Sequence, residues 1–326
     1  MRWLTVGMII VLSVCGQSFA ETEGLPRPGM RQAAITESLK DQDPVVRQTA
    51  ARTLGEAHEK SAVPALSEAA AKDPDETVRL TAIGALSVIG DRSAMPAYVK
   101  ALKDEAEKVR QSAAEALSGM WDESAHQALI EALRTDISPK VRRSAAQALG
   151  NPGIMGRYQA HHWEQDKPDS EGSLMDALKK DESPEVRAMS ASMLANFKTG
   201  RSLDPLIDAL ADKNASVRAS AAEALGVLDK PRSVEKLLDV LYFEKDDYVV
   251  LNALKSLKYA VDPRLAGAAI GALRSSSQRV RWQAIDVLET LRTQDAVEPL
   301  KSLSEDKYES DGIKNKAREA LQLLGQ

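Results

Sequence analysis

Residues able to do chemistry are concentrated in two places. His161, His162, Glu164 and Asp166 bring four metal-ligating side chains into one stretch, beside Tyr158 and Trp163. Adjacent histidines seldom aim at one ion unless the backbone is irregular, so we assign no metal to them. The second place is distributed. Asp41, Asp73, Asp104, Asp136, Asp181 and Asp212 are each followed six residues later by an arginine: Arg47, Arg79, Arg110, Arg142, Arg187 and Arg218. A carboxylate and a guanidinium at fixed spacing make charge-assisted, bidentate ion pairs, and such pairs hold structure rather than move protons. The sequence has no phosphate-cradling glycine loop, no Gly-x-Ser-x-Gly elbow and no His-Glu-x-x-His. Its other carboxylates fall in turns and on solvated helix faces, unpaired for acid–base work. The expectation is a non-enzyme without a cofactor.

These charged pairs are positioned by a repeated helix. Val217, Ala221, Ala224 and Leu225 stand at offsets 0, 4, 7 and 8 and share one face of a 3.6-residue period. Gly226 follows as the expected left-handed helix stop. The same template starts at Val46, Val78, Val109, Val141, Val186, Val217, Val249, Val280 and Ile313, and each copy has leucine eight residues on, from Leu54 to Leu321. Steps of 31–33 residues, with one of 45, mark an internal repeat. Partner helices lie between the templates, several with proline in the first turn or two (Pro64, Pro96, Pro205, Pro299). The fold class expected is all-α, an α-solenoid of about nine helix pairs. Alanine-rich stripes allow layers about 8–10 Å apart, hence a curved rod on the order of 80 Å long. Leu117 and Leu225 should be buried between helix pairs.

With the Asp-x4-Val-Arg pairs and this register, the chain resembles the HEAT family, specifically its bilin-lyase-type HEAT-like repeats. The resemblance runs from about Arg31 to Gln326. It implies that the six aspartates and six arginines form a structural ladder between neighbouring repeats, and that the template helices line a concave side. Positions two past the valine then face the groove: Gln48, Leu80, Gln111, Arg143, Ala188, Ala219, Leu251 and Trp282. Trp282 and Leu251, flanked by Arg279, form a candidate apolar patch for a protein partner, with Leu80 further along the groove. The ladder is expected to lapse at its end, where Glu244 and Val250, Ser275 and Arg281, then Tyr308 and Lys314 occupy the ladder positions. His58-Glu59 is a single His-Glu pair, whereas the deoxyhypusine hydroxylases that share this scaffold need several. Asn214-Ala215-Ser216 is a glycosylation sequon lying on the template itself.

Two segments fall outside the repeat. The 45-residue step hides an insertion around 151–170, and insertions in repeat proteins map to loops on one face. Tyr158, His161, His162 and Trp163 make it a second candidate partner site. At the start, Arg2, the apolar run Trp3–Cys15 and Ser18-Phe19-Ala20 read as an export signal cleaved after Ala20, followed by a linker over 21–30. Leu12-Ser13-Val14-Cys15 offers lipidation at Cys15 instead, although Val14 departs from the small residue usual there. With 43 basic and 48 acidic residues the net charge is −5, which argues against broad binding to phosphate backbones. Arg274, Arg279 and Arg281 form the noticeable basic cluster. A periplasmic or secreted scaffold that binds a protein is the expected function. The alternatives are a chromophore-attachment factor of the bilin-lyase type and, behind it, a nucleic-acid-binding groove.

Overall fold

The computed structural model describes residues 28–120, 122–151, 169–197, 199–228 and 231–325. Among them are 18 α-helices and no strand. They alternate as first and second helices of nine repeats. The first helices are α1 (Pro28–Glu37), α3 (Val63–Lys72), α5 (Met95–Ala101), α7 (Glu123–Thr135), α9 (Ser170–Lys180), α11 (Leu203–Ala209), α13 (Pro231–Phe243), α15 (Arg264–Ala272) and α17 (Val297–Glu305). The second helices, which carry the template, are α2 (Pro44–Glu56), α4 (Glu76–Ile89), α6 (Glu107–Ala116), α8 (Pro139–Gly150), α10 (Pro184–Leu194), α12 (Ala215–Leu228), α14 (Asp247–Leu257), α16 (Gln278–Leu291) and α18 (Asp311–Leu323). α1 begins at Pro28, inside the stretch read as linker.

Most second helices start for a local reason. Asp43, Asp75 and Asp246 accept from the first free amides of α2, α4 and α14, and Ser138 and Ser310 do the same for α8 and α18. Pro44, Pro139 and Pro184 then take the first helical position, where a missing N–H costs nothing. Short 3₁₀ turns at Lys60–Ala62, Arg92–Ala94 and Gln294–Ala296 lead into α3, α5 and α17. They let Pro64, Pro96 and Pro299 fall in the first turn of the α-helix that follows.

The chain divides into two compact units, Met1–Pro168 and Asp169–Gln326. In the first, α2, α4, α6 and α8 pack in succession, and α3, α5 and α7 form the parallel row. In the second, α10, α12, α14, α16 and α18 form one row, and α9, α11, α13 and α15 the other. Between the rows of each unit lies an aliphatic seam. The template valines from Val78 to Val280 are fully enclosed, and the nine leucines from Leu54 to Leu321 are all buried, Leu117 at 1 % and Leu225 at 0 % exposure. Burying one such side chain contributes about 1.5–3 kcal/mol, so this seam holds the layers together.

Gly226 does not end its helix as the sequence suggests, because α12 continues to Leu228. A β-carbon on Gly226 would collide with the Ser256 side chain and come within 2.9 Å of its Cα. Gly55, at the same repeat position in α2, meets Ala85 of α4 in the same way, with the Ala85 Cα 2.8 Å from where a β-carbon would stand. Both glycines are there to let neighbouring second helices touch backbone to backbone. The left-handed stop expected of Gly226 occurs at Gly90, where φ is 70°.

Candidate partner-binding surface

Four of the six arginines meet the aspartate of the next repeat. Arg47 Nε and Nη2 donate to Asp73 at 2.7 and 2.8 Å, Arg79 to Asp104 at 2.8 and 2.9 Å, Arg110 to Asp136 at 2.7 and 3.1 Å, and Arg187 to Asp212 at 2.8 and 2.9 Å. Each arginine also turns Nη1 back onto its own repeat, as Arg187 does onto the carbonyls of Asp181 and Glu182. Arg142 donates likewise to the carbonyl of Asp136 at 2.9 Å. Each ladder acid has a second task. Asp41, Asp73, Asp104, Asp136, Asp181 and Asp212 each accept the backbone N–H two residues on, which shapes the turn before the second helix. The hydrogen bond to the acid holds Arg47, Arg79, Arg110 and Arg187 above the ordinary guanidinium value, against the opposing effect of burial.

The expected lapse of the ladder is smaller than the residue types suggest. Glu244 takes the aspartate's place: Arg218 donates to it at 2.7 and 3.1 Å, and it still accepts the N–H of Asp246. Arg281 finds Glu309, one residue beyond Tyr308, with Nη2 at 2.9 Å. One rung differs in kind. Val250 stands where the arginine would be, and Ser275 keeps the turn by accepting from Ser277 N while its hydroxyl donates to Asp247 at 2.8 Å. Burial alone would raise the acids Asp212, Glu244 and Glu309. Their arginine partners and backbone N–H donors outweigh it, and all three lie below the ordinary carboxylate range.

The groove positions do not share one environment. Gln48, Leu80, Gln111, Ala188 and Leu251 are half-buried, Arg143 is exposed, and Ala219 is buried at 1 % exposure, so it offers no groove contact. Trp282 is 45 % exposed. Its stripe on α16 is Arg279, Trp282, Asp286 and Glu289, one helix face by spacing. Lysines from both neighbouring helices meet this stripe. Lys258, just past the end of α14, bonds Asp286 at 2.7 Å, and Lys316 of α18 bonds Glu289 at 2.5 Å while its Nζ lies 5.8 Å from the Trp282 ring centroid. Leu251 lies on the α14 face that also carries Lys255, by spacing. These lysine staples escaped the sequence reading. Opposite charges 27 or 28 residues apart, roughly one repeat less a helical turn, are the signal that could have found them.

Tyr158, His161, His162 and Trp163, with Glu164 and Asp166, lie outside the described residues. The chain after them is pinned. Asp169 caps α9 through Gly172 N at 2.8 Å, Arg201 reaches back to Asp169 at 3.0 Å, and the Thr199 hydroxyl donates to buried Glu171 at 2.5 Å. Buried His126, unremarked in the sequence, bonds the carbonyl of Asp122 through Nδ1, and burial lowers its pKa. No group of three potential metal ligands comes together among the described residues, and no helix among them is long and apolar enough to cross a membrane.

Helix pairs stacked through a shared seam and an inter-repeat arginine ladder define a repeat solenoid. HEAT repeats match over 32–97, 68–150, 172–258 and 244–322, and the chain belongs to the HEAT-repeat family. No curated protein matches the sequence. Among solved structures, an engineered protein is similar at 19% identity and a TM-score of 0.51, covering 98% of this chain and 95% of its own. YibA of E. coli is similar at 17% identity and a TM-score of 0.54, covering 93% and 99%. Kap95p, solved with RanGDP, is similar at 14% identity and a TM-score of 0.66, covering 98% of this chain and 48% of its own. At these identities the likeness is one of fold.

Proposed function

We propose that the chain is an exported, non-enzymatic scaffold that holds a protein partner on the second-helix face of its C-terminal repeats. The observation that carries this reading is Trp282, a large aromatic left 45 % exposed on a helix whose Val280, Ala284, Ile285, Val287 and Leu288 are all buried. Exposed tryptophans are over-represented at binding hot spots. Protein binding also suits the fold, since Kap121p, a structural neighbour at a TM-score of 0.52, was solved bound to Nup53p. Export rests on Arg2, the apolar run to Cys15 and Ser18-Phe19-Ala20. The insertion with Tyr158, His161, His162 and Trp163 is the second place a partner would touch.

The test is capture from the cell envelope with the wild-type mature chain and with Trp282→Ala. Wild type should retain a partner that the variant loses while keeping its helicity and melting temperature. Equal retention would remove this face and turn attention to the 151–170 insertion. Intact mass of the recovered chain should place its first residue near Glu21. A chain beginning at an acylated Cys15 would replace simple cleavage by lipidation.

A further inference from the structure

The arginine ladder is open at its first rung, and we infer that Asp41 receives an arginine from the first turn of a partner's helix. The site belongs to the first unit and goes beyond the Trp282 face, which lies in the second. In the closed rungs both carboxylate oxygens are filled. Asp73 Oδ1 accepts Asp75 N at 3.0 Å and Arg47 Nη2 at 2.8 Å, while Oδ2 accepts Arg47 Nε at 2.7 Å. Asp104, Asp136 and Asp212 are bound atom for atom in the same way. Asp41 is built to the same plan. Its Oδ1 accepts Asp43 N at 2.9 Å, and Arg47 Nη1 donates to its carbonyl at 2.8 Å. Among the described residues, however, no donor reaches Oδ2, and the half-buried carboxylate has no ion pair.

The sibling rungs specify the missing ligand. Arg47, Arg79, Arg110, Arg187 and Arg218 are each the fourth residue of a second helix, and each holds Nη1 on the carbonyl six residues back. That leaves Nε and Nη2 as a planar fork aimed at the next acid, a shape that lysine cannot supply. Nearby charges do not fill the gap. Lys40 bonds Glu37 at 3.2 Å, Lys72 bonds Glu68 at 3.0 Å, Arg47 is held by Asp73, and Asp43 caps α2. Arg31 lies ten residues back, more than two helical turns away. The layer around the acid is open as well. Val45 is 64 % exposed and Val46 half-buried, whereas the template valines from Val78 to Val280 are fully enclosed. The other end of the array is closed instead. Arg318, exposed, occupies the position at which the eight other copies, from Ala51 to Ile285, are fully buried, and Lys314 replaces the ladder arginine. A second copy of this chain therefore does not supply the donor from that end, and the occupant is an arginine-bearing helix of another protein.

The probe is a fluorescent, lactam-stapled peptide copying Asp212–Leu225, which carries Arg218 with its own turn and no net side-chain charge. It is titrated by anisotropy against the mature chain, beside versions with lysine or citrulline in place of the arginine. The arginine peptide should bind about tenfold more tightly than either, roughly 1.4 kcal/mol. Asp41→Asn, whose amide oxygen still accepts Asp43 N, should remove that preference. Asp41→Glu should keep it, since Glu244 takes Arg218 in the same place. Asp43→Asn keeps the α2 cap and removes only the neighbouring exposed charge, so binding should stay within about twofold. No binding of the arginine peptide, equal binding of the lysine peptide, or an equal loss with Asp43→Asn would overturn the inference. Trp282→Ala should leave this binding unchanged, so the first rung and the Trp282 face stand or fall separately.

Discussion

At the scale of single residues, the ladder shows how one side chain serves two repeats. Arg47, Arg79, Arg110, Arg187 and Arg218 each tie their own turn through Nη1 and the next repeat through Nε and Nη2, so the loss of one frees a turn and unlinks a layer together. Breaking a buried pair from one side costs about 3–5 kcal/mol, because the remaining charge stays buried without its partner. Asp212→Ala should fall in that range by denaturant unfolding, and a loss below 1 kcal/mol would show the rung to be idle. The missing rung can be written back in. Val250→Arg with Ser275→Asp should show a favourable coupling of about 0.5–3 kcal/mol in a double-mutant cycle. Strict additivity of the two changes would mean that these positions do not meet. The acids also set a pH dependence. The folded pKa values of Asp212, Glu244 and Glu309 lie below their ordinary values of 3.8 and 4.5, so the folded state binds fewer protons than the unfolded one. Their contribution is therefore full above about pH 4.5 and is lost as pH falls through the folded values.

Between elements, the spacing of second helices is set by what they lack. Gly226 and Ser256 bring α12 and α14 into backbone contact, as Gly55 and Ala85 do for α2 and α4. Gly226→Ala is a good helix substitution by propensity, worth up to about 1 kcal/mol in an open helix. Here the sign reverses, because the new methyl meets the Ser256 β-carbon and backbone. We expect the variant to lose about 1–3 kcal/mol as an overpacked contact does, seen as a lower melting temperature. Ser256→Gly should recover part of the loss, and a Gly226→Ala protein melting above wild type would refute the close approach. Gly84, with nothing within 4 Å of its missing β-carbon, is the control: alanine there should be neutral or stabilising.

On the scale of the molecule, each repeat packs against its sequence neighbours, so damage should stay near where it is made. Leu117 lies in the first unit and Leu225 in the second, both enclosed by neighbouring helices. Replacing either with alanine should cost about 2–5 kcal/mol. Hydrogen exchange is the discriminating measurement. Leu117→Ala should lower protection within 28–150 and leave most of 169–325 unchanged, and Leu225→Ala should do the reverse. Equal loss across both units in either variant would mean that the chain opens as one cooperative body.

Local spacing was enough to place the nine template helices, their buried valines and leucines, and the arginine rungs, because each repeat writes the same short-range pattern and neighbours in sequence are neighbours in space. The resemblance to HEAT repeats rests on the same spacing. What it left undecided depends on how one helix meets the next. Gly226 reads as a helix stop until Ser256 is seen against it, and Glu244 and Tyr308 read as lapses until Arg218 reaches Glu244 and Arg281 reaches Glu309, next to Tyr308. Ala219 and Trp282 hold the same repeat position, yet one is enclosed and the other open. The ion pairs beside Trp282 were likewise fixed by packing, since Lys258, just past α14, and Lys316 of α18 reach acids that in the sequence stand 28 and 27 residues away.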